Sequence, residues 1–145
     1  MPEGVGFARL DPGAAEQRFQ HLRRELGVTS LGINLIVLEP GQRGRVHAHR
    51  EQEEVYLVLE GELLLLLEAS GHTLGPWELV RVAPDVRRQL VNRGTGRVVL
   101  LALGSHGEHV GRDGIAWADW NEPGDGRPPQ DVPRPEDEAP RPPSA

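Results

Sequence analysis

The stretch Gly41-Gln-Arg-Gly-Arg-Val-His47-Ala-His49-Arg-Glu-Gln-Glu-Glu54-Val-Tyr-Leu-Val-Leu-Glu-Gly61 sets two imidazoles one residue apart, with a carboxylate five positions after the second. Side chains two apart on a strand share a face, so His47 and His49 can hold one cation from one side. A short turn through residues 50–53 returns Glu54 on the next strand to meet them. Two neutral imidazoles and a carboxylate suit Fe, Mn, Ni, Zn or Cu, and leave coordination positions open for water or substrate.

The spacing resembles the first signature motif of the cupin superfamily: Gly, five residues, His-x-His, three or four residues, Glu, six residues, Gly. Here the intervals are five, one, four and six, and every fixed position is filled by Gly41, His47, His49, Glu54 and Gly61. The resemblance implies an all-β fold, a cupin-type antiparallel jelly-roll β-barrel, with a divalent metal (Fe, Mn, Ni or Zn) held inside it by His47, His49 and Glu54. It also implies turns at the two glycines, where positive φ is easiest for a residue without Cβ.

The second motif of that family runs Gly, five residues, Pro-x-Gly, two residues, His, three residues, Asn, and its His is the usual fourth ligand. The corresponding stretch is Glu78-Leu-Val-Arg-Val-Ala-Pro84-Asp-Val86-Arg-Arg88-Gln89-Leu-Val-Asn92, with no His. Aligned on Pro84, it has Glu78 and Val86 at the glycine places and Gln89 at the ligand place. Aligned on Asn92, it has Arg88 there. Strand parity groups Arg88 with Leu90 and Asn92 and favours Arg88 as the inward residue. A guanidinium has five donors and no acceptor, so it cannot ligate a metal. The resemblance therefore supports three ligands, with Gln89 a weak fourth only in the alternative register.

At 145 residues the chain has the length of one domain able to bury a core. It has no cysteine, which excludes disulfides and thiolate metal sites and fits a cytoplasmic location. The N-terminus lacks a basic region followed by an apolar run, so no signal peptide is expected, and the leucine run at 63–67 is too short to span a bilayer. All 16 basic side chains are Arg. Residues 1–106 carry thirteen acidic and twelve basic side chains, and residues 107–145 nine and four, so the negative charge gathers at the C-terminal end. No basic face interleaved with aromatics appears, which argues against nucleic acid as a partner.

Asp11-Pro12 followed by Ala15, Phe19, Leu22 and Leu26 predicts a capped amphipathic helix. Strands are expected near 31–39, 45–49, 55–59, 62–68, 78–82, 87–91 and 97–103, with hairpin turns at 60–61 and 92–96. Many short strands with regular turns fit a barrel or sandwich. The organisation expected is an N-terminal segment with a short helix (1–29), the barrel (30–106), a segment packed on it (107–120) and a flexible, Pro-rich acidic tail (121–145). The tail holds eight of the 13 prolines and no aromatic residue.

Tyr56 shares the face of Glu54, as a core tyrosine or as a hydrogen-bond donor and candidate proton-transfer group. Arg88 reads equally as a clamp for an anionic ligand, as a partner for Glu54 or as a solvated residue; Arg87 reads as solvated. Trp117 and Trp120 are expected to pin the C-terminal segment to the barrel or a partner subunit. His21, His72, His106 and His109 are read as exposed, and Glu51, Gln52 and Glu53 as solvent-facing. Two classes of function fit: a metal-dependent enzyme of dioxygenase, isomerase or decarboxylase type acting on a small organic molecule, and a metal-free module that binds or senses a small anionic ligand. The expected assembly is a homodimer, without membrane or nucleic-acid partners.

Overall fold

The computed structural model describes residues 3–14, 18–105 and 113–138. Its strands are β1 (Phe19–His21), β2 (Gly32–Leu38), β3 (Val46–His49), β4 (Glu53–Glu60), β5 (Leu63–Leu66), β6 (Gly71–Leu74), β7 (Leu79–Val82), β8 (Gln89–Val91), β9 (Val98–Ser105) and β10 (Gly114–Trp117), with one helix, α1 (Leu22–Leu26). A five-stranded sheet runs β1-β2-β9-β4-β7, a three-stranded sheet β6-β5-β8, and a two-stranded sheet β10-β3. All these pairings are antiparallel. Single bridges from His47 to Arg88 and from Arg43 to Val91 tie the β3 region to β8.

Alternation along the strands explains why the sheets face one another. Ile36 and Leu38 of β2, Val58 of β4 and Val98, Leu100 and Ala102 of β9 share one buried cluster with Leu63 and Leu65 of β5 and Leu90 of β8. The other faces of β2 and β9 place Leu35, Val37 and Val99 against Leu22 of α1. Each such buried aliphatic side chain contributes roughly 1.5–3 kcal/mol relative to exposure. The result is an all-β jelly-roll of the cupin type with a short N-terminal helix.

Three local expectations are corrected. The helix expected from Asp11 to Leu26 is reduced to a 3₁₀ turn at Pro12–Ala14 and to α1. Between them Phe19–His21 pairs with Asn34–Ile36 of β2, and tertiary pairing outweighs local periodicity. Arg18 enters that pairing at φ 78°, outside helical space. The turns at 60–61 and 92–96 are not hairpins, because β4 and β9 lie in the five-stranded sheet and β5 and β8 in the three-stranded one. Both turns carry the chain from one sheet to the other. β1, β6 and β10 were not expected as strands at all. In the polar run Gly71–Leu74 only Leu74 is buried, so that strand has little apolar pattern to announce it.

The C-terminal segment runs beside residues 41–45, which lead into β3. Val132 is buried, and its carbonyl accepts from Arg45 Nε at 2.6 Å. Glu138 N donates to Gly41 O at 2.7 Å, and Arg43 donates to Glu136 O. Among the described residues no helix is long and apolar enough to cross a membrane.

Candidate metal centre and its cavity

His47 and His49 stand on β3 with Val46 and Ala48 facing the other way, packed on Trp117 of β10. That packing fixes the strand's orientation and turns both imidazoles toward the interior. Glu54 and Tyr56 project from the same face of β4. One ligand atom from each of His47, His49 and Glu54 lies within 4.8 Å of the others. Glu54 Oε2 is 3.4 Å from His49 Nε2, and Glu54 Oε1 is 3.9 Å from His47 Nε2.

The outer nitrogen of His47 is held from behind. His47 Nδ1 lies 3.0 Å from the Arg45 carbonyl, which can only accept, so in the neutral ring Nδ1 carries the proton and Nε2 is left with a lone pair facing inward. His49 Nδ1 is buried without a hydrogen bond among the described residues, and the nearest carboxylate is Asp113 Oδ2 at 3.9 Å. That oxygen accepts from the backbone N–H groups of Glu51 and Gln52 at 2.9 and 2.8 Å. A carboxylate behind an inward-facing imidazole is the usual support of a metal-binding histidine. No spacing in the sequence linked Asp113 to the His-x-His pair. The pairing of Gly114 with His49 brings it there.

Arg88 is fully buried. Its three groups are engaged: NH2 donates to Glu54 Oε1 at 3.0 Å, Nε to the Tyr56 hydroxyl at 3.2 Å, and NH1 to the Val86 carbonyl at 2.7 Å. Tyr56 also donates to Glu54 Oε1 in a short hydrogen bond. Arg88 thus stands at the place of the missing histidine and grips the carboxylate instead, so the guanidinium reaches a ligand only through Glu54 and Tyr56. Gln89 faces away: its amide donates to the Gly44 carbonyl at 3.0 Å, and its oxygen accepts from Trp120 Nε1 at 2.9 Å.

The electrostatics follow from burial and these partners. Burial pushes the Glu54 carboxyl up, but the hydrogen bonds and charges that His47 and His49 supply when protonated outweigh it and hold the group well below its ordinary range. Burial first, then the Glu54 carboxylate, drive the Tyr56 phenol well above its ordinary value, so it stays protonated as a donor. Burial opposes the charge on Arg88, yet Tyr56 and Glu54 raise its pKa overall. Glu54 therefore keeps Oε1 for Arg88 and Tyr56 and leaves Oε2 beside His49. The set fits a cation on three ligands.

The backbone explains how the second motif is aligned. The left-handed residues are Trp77 (φ 71°) and Asp85 (φ 66°), each one position before the expected Glu78 and Val86. Counted from them, Arg88 occupies the histidine place and Asn92 the asparagine place, and Pro84 is the displaced residue. Asn92 is buried and clasps the turn, donating to the carbonyls of Leu38 and Gly96 and accepting from Gly94 N. At Gly41 and Gly61, φ is 86° and 79°, as expected of turn glycines.

Beside the triad lies a cavity of about 220 Å³, bounded by Phe19, Ile36, Leu38, Leu90, Ala102 and Pro129 together with His47, His49, Glu54 and Tyr56. Arg18, Arg45 and Arg134 also line it. Of the remaining expectations, Trp117 does fasten β10 to β3, with Arg87 over its ring at 3.9 Å. Gln52 is buried rather than solvent-facing, because Asp113 draws its backbone inward. Glu51, Glu53, His21 and His72 are exposed, and His106 and His109 lie outside the described residues.

This fold and this group of side chains define a small jelly-roll with a candidate metal site, and the comparisons identify the family. The cupin domain family model matches residues 34–104. A cupin-superfamily sugar phosphate isomerase from Silicibacter pomeroyi is 30% identical, with a TM-score of 0.58, over 70% of this chain and 69% of its own. A protein from Acidithiobacillus ferrooxidans described as a candidate sugar phosphate isomerase is 28% identical, with a TM-score of 0.57, over 66% of this chain. The match spans 60% of its length, less than two thirds. A cupin 2 conserved barrel domain protein from Salinispora arenicola gives a TM-score of 0.63 at 20% identity, over 70% of this chain and 89% of its own. No curated protein matches the sequence. The chain belongs to the cupin superfamily.

Proposed function

We propose that this cupin holds a divalent metal ion through His47, His49 and Glu54 and acts on a small organic molecule in the adjoining cavity. The observation that carries this reading is the convergence of three ligand atoms within 4.8 Å at the cavity wall. Fe, Mn, Ni or Zn suits the donor set. Bound there, the ion would supply Lewis acidity toward a substrate oxygen. The protein's own part is to orient. Arg45 O aims the His47 imidazole, Arg88 and Tyr56 hold one carboxylate oxygen and leave the other inward, and the apolar walls exclude water. Among dioxygenase, isomerase and decarboxylase chemistry, the similarity to the Silicibacter pomeroyi isomerase favours isomerisation.

A second reading rests on Arg88. The buried Arg88–Glu54 pair already satisfies the carboxylate without a cation, which suits a metal-free module that binds a small ligand. Elemental analysis of untagged protein, beside a His47→Ala/His49→Ala double mutant, separates the two. Near-stoichiometric metal that disappears in the mutant supports the first. No metal after reconstitution with Fe, Mn, Ni and Zn leaves the second.

The proposed assembly is a homodimer. β7 is an edge strand, and Leu79 on it and Trp77 beside it are 64% and 77% exposed. Light scattering on the eluting peak tests this directly.

A further inference from the structure

The cavity lining is of two chemical kinds. One is the His47–His49–Glu54 set; the other is Arg18, Arg45 and Arg134, from three separate parts of the chain. The apolar side chains of Ile36, Leu38, Leu90 and Ala102 line the space as well. We propose that Arg18, Arg45 and Arg134 form an oxyanion clamp, and that the ligand is a compact carboxylate or phosphate ester with an apolar body. The proposal rests on the reading of this cavity as the ligand site and names the class of molecule that enters it.

Several observations agree. The three side chains are half-buried around one cavity, and an anion entering it would lower their mutual repulsion. Two of them are braced by backbone carbonyls, Arg18 through Arg43 O at 2.9 Å and Arg45 through Val132 O at 2.6 Å. That bracing presets the planar forks for bidentate contact with an oxyanion. Asp137 Oδ1 lies 3.5 Å from Arg18 on an exposed side chain, a carboxylate already seated at the clamp's edge. Arg18 itself is left-handed, with its carbonyl accepting from Val37 N at 2.8 Å, and strained backbone of this kind collects at ligand clamps.

The walls decide the body of the ligand. A polyhydroxylated chain would lay hydroxyls on Ile36, Leu38 and Leu90, whose side chains neither donate nor accept, whereas an apolar body loses nothing there. The volume, about 220 Å³, lies below the usual range of drug-sized pockets and suits a compact molecule.

The test is calorimetric titration of the full chain with benzoate, phenyl phosphate, benzamide and glucose 6-phosphate, with metal content measured on the same samples. Benzoate or phenyl phosphate should bind at least about tenfold tighter than neutral benzamide, and the stronger of the two identifies the oxyanion. Arg134→Gln should weaken that binding about tenfold while leaving metal content unchanged. Arg45→Gln repeats the binding test, with thermal melting as the folding control for both variants. Equal binding of benzamide, no binding by any probe, or oxyanion binding indifferent to both variants would overturn the clamp. Tighter binding of glucose 6-phosphate than of phenyl phosphate would overturn the apolar body. Metal without oxyanion binding would sink the clamp and leave the metal reading, and oxyanion binding by metal-free protein would do the reverse.

Discussion

Gly41 and Gly61, which bracket the His-x-His strand and the strand after it, adopt left-handed backbone at positions where a Cβ would lie 2.1 Å from Glu138 O and 2.3 Å from Arg97 O. Trp77 and Asp85, which bracket β7 in the other half of the site, adopt the same backbone with side chains present. Their amides hang that half on the first: Trp77 N donates to Val58 O and Asp85 N to His49 O, both at 2.8 Å. In the glycine half, close approach of another chain segment forbids any side chain. In the other half there is room, Trp77 being largely exposed, so the conformation persists after the glycine is gone. The lesson is that tertiary hydrogen bonds can hold a turn that its own residues disfavour by about 1–2 kcal/mol each.

The ligand chemistry divides along the same line. The first half contributes His47, His49 and Glu54, and the second contributes Arg88 in place of a fourth ligand. The largest expected effect comes from removing that substitute. Arg88→Ala leaves Glu54 without its buried counter-charge and should cost about 3–5 kcal/mol in urea unfolding. A loss below about 1 kcal/mol would mean that the histidines alone compensate the carboxylate.

Gly61→Ala should cost about 1–3 kcal/mol, because positive φ and the Arg97 carbonyl both oppose a methyl group there. A neutral outcome in the same unfolding assay would erase the contrast between the two halves. For metal binding, Arg88→His should raise affinity about tenfold, the scale on which neighbouring groups move metal sites. Gln89→His should leave it unchanged, since that side chain faces Trp120. Competition titration against a chelating dye reads both, and the opposite ranking would reverse the alignment of the second motif. The smallest effect is expected for Asp85→Gly, a gain of up to about 1 kcal/mol in melting experiments as left-handed strain is relieved. A loss would show that the Asp85 side chain stabilises the turn.

Much of the site was legible in the sequence because its signals are local. His47 and His49 lie two apart on one strand, Glu54 follows one turn later, and strand parity alone favoured Arg88 over Gln89. The hidden parts depend on contacts between distant segments. Asp113 reaches His49 through the β10–β3 pairing, and Phe19 leaves its helical pattern to pair with β2. Arg18 and Arg134 meet Arg45 at one cavity from far-separated positions.

The sequence by itself determined the all-β class, the family and the three inward candidate ligand positions, since alternation on a strand and the spacing of glycine turns are properties of neighbouring residues. Only the tertiary structure decided which sheet each strand joins, what supports His49, what Arg88 grips and where the other arginines gather. Those outcomes depend on which surfaces are close enough to be buried together, and no local spacing encodes the distance between segments a hundred residues apart.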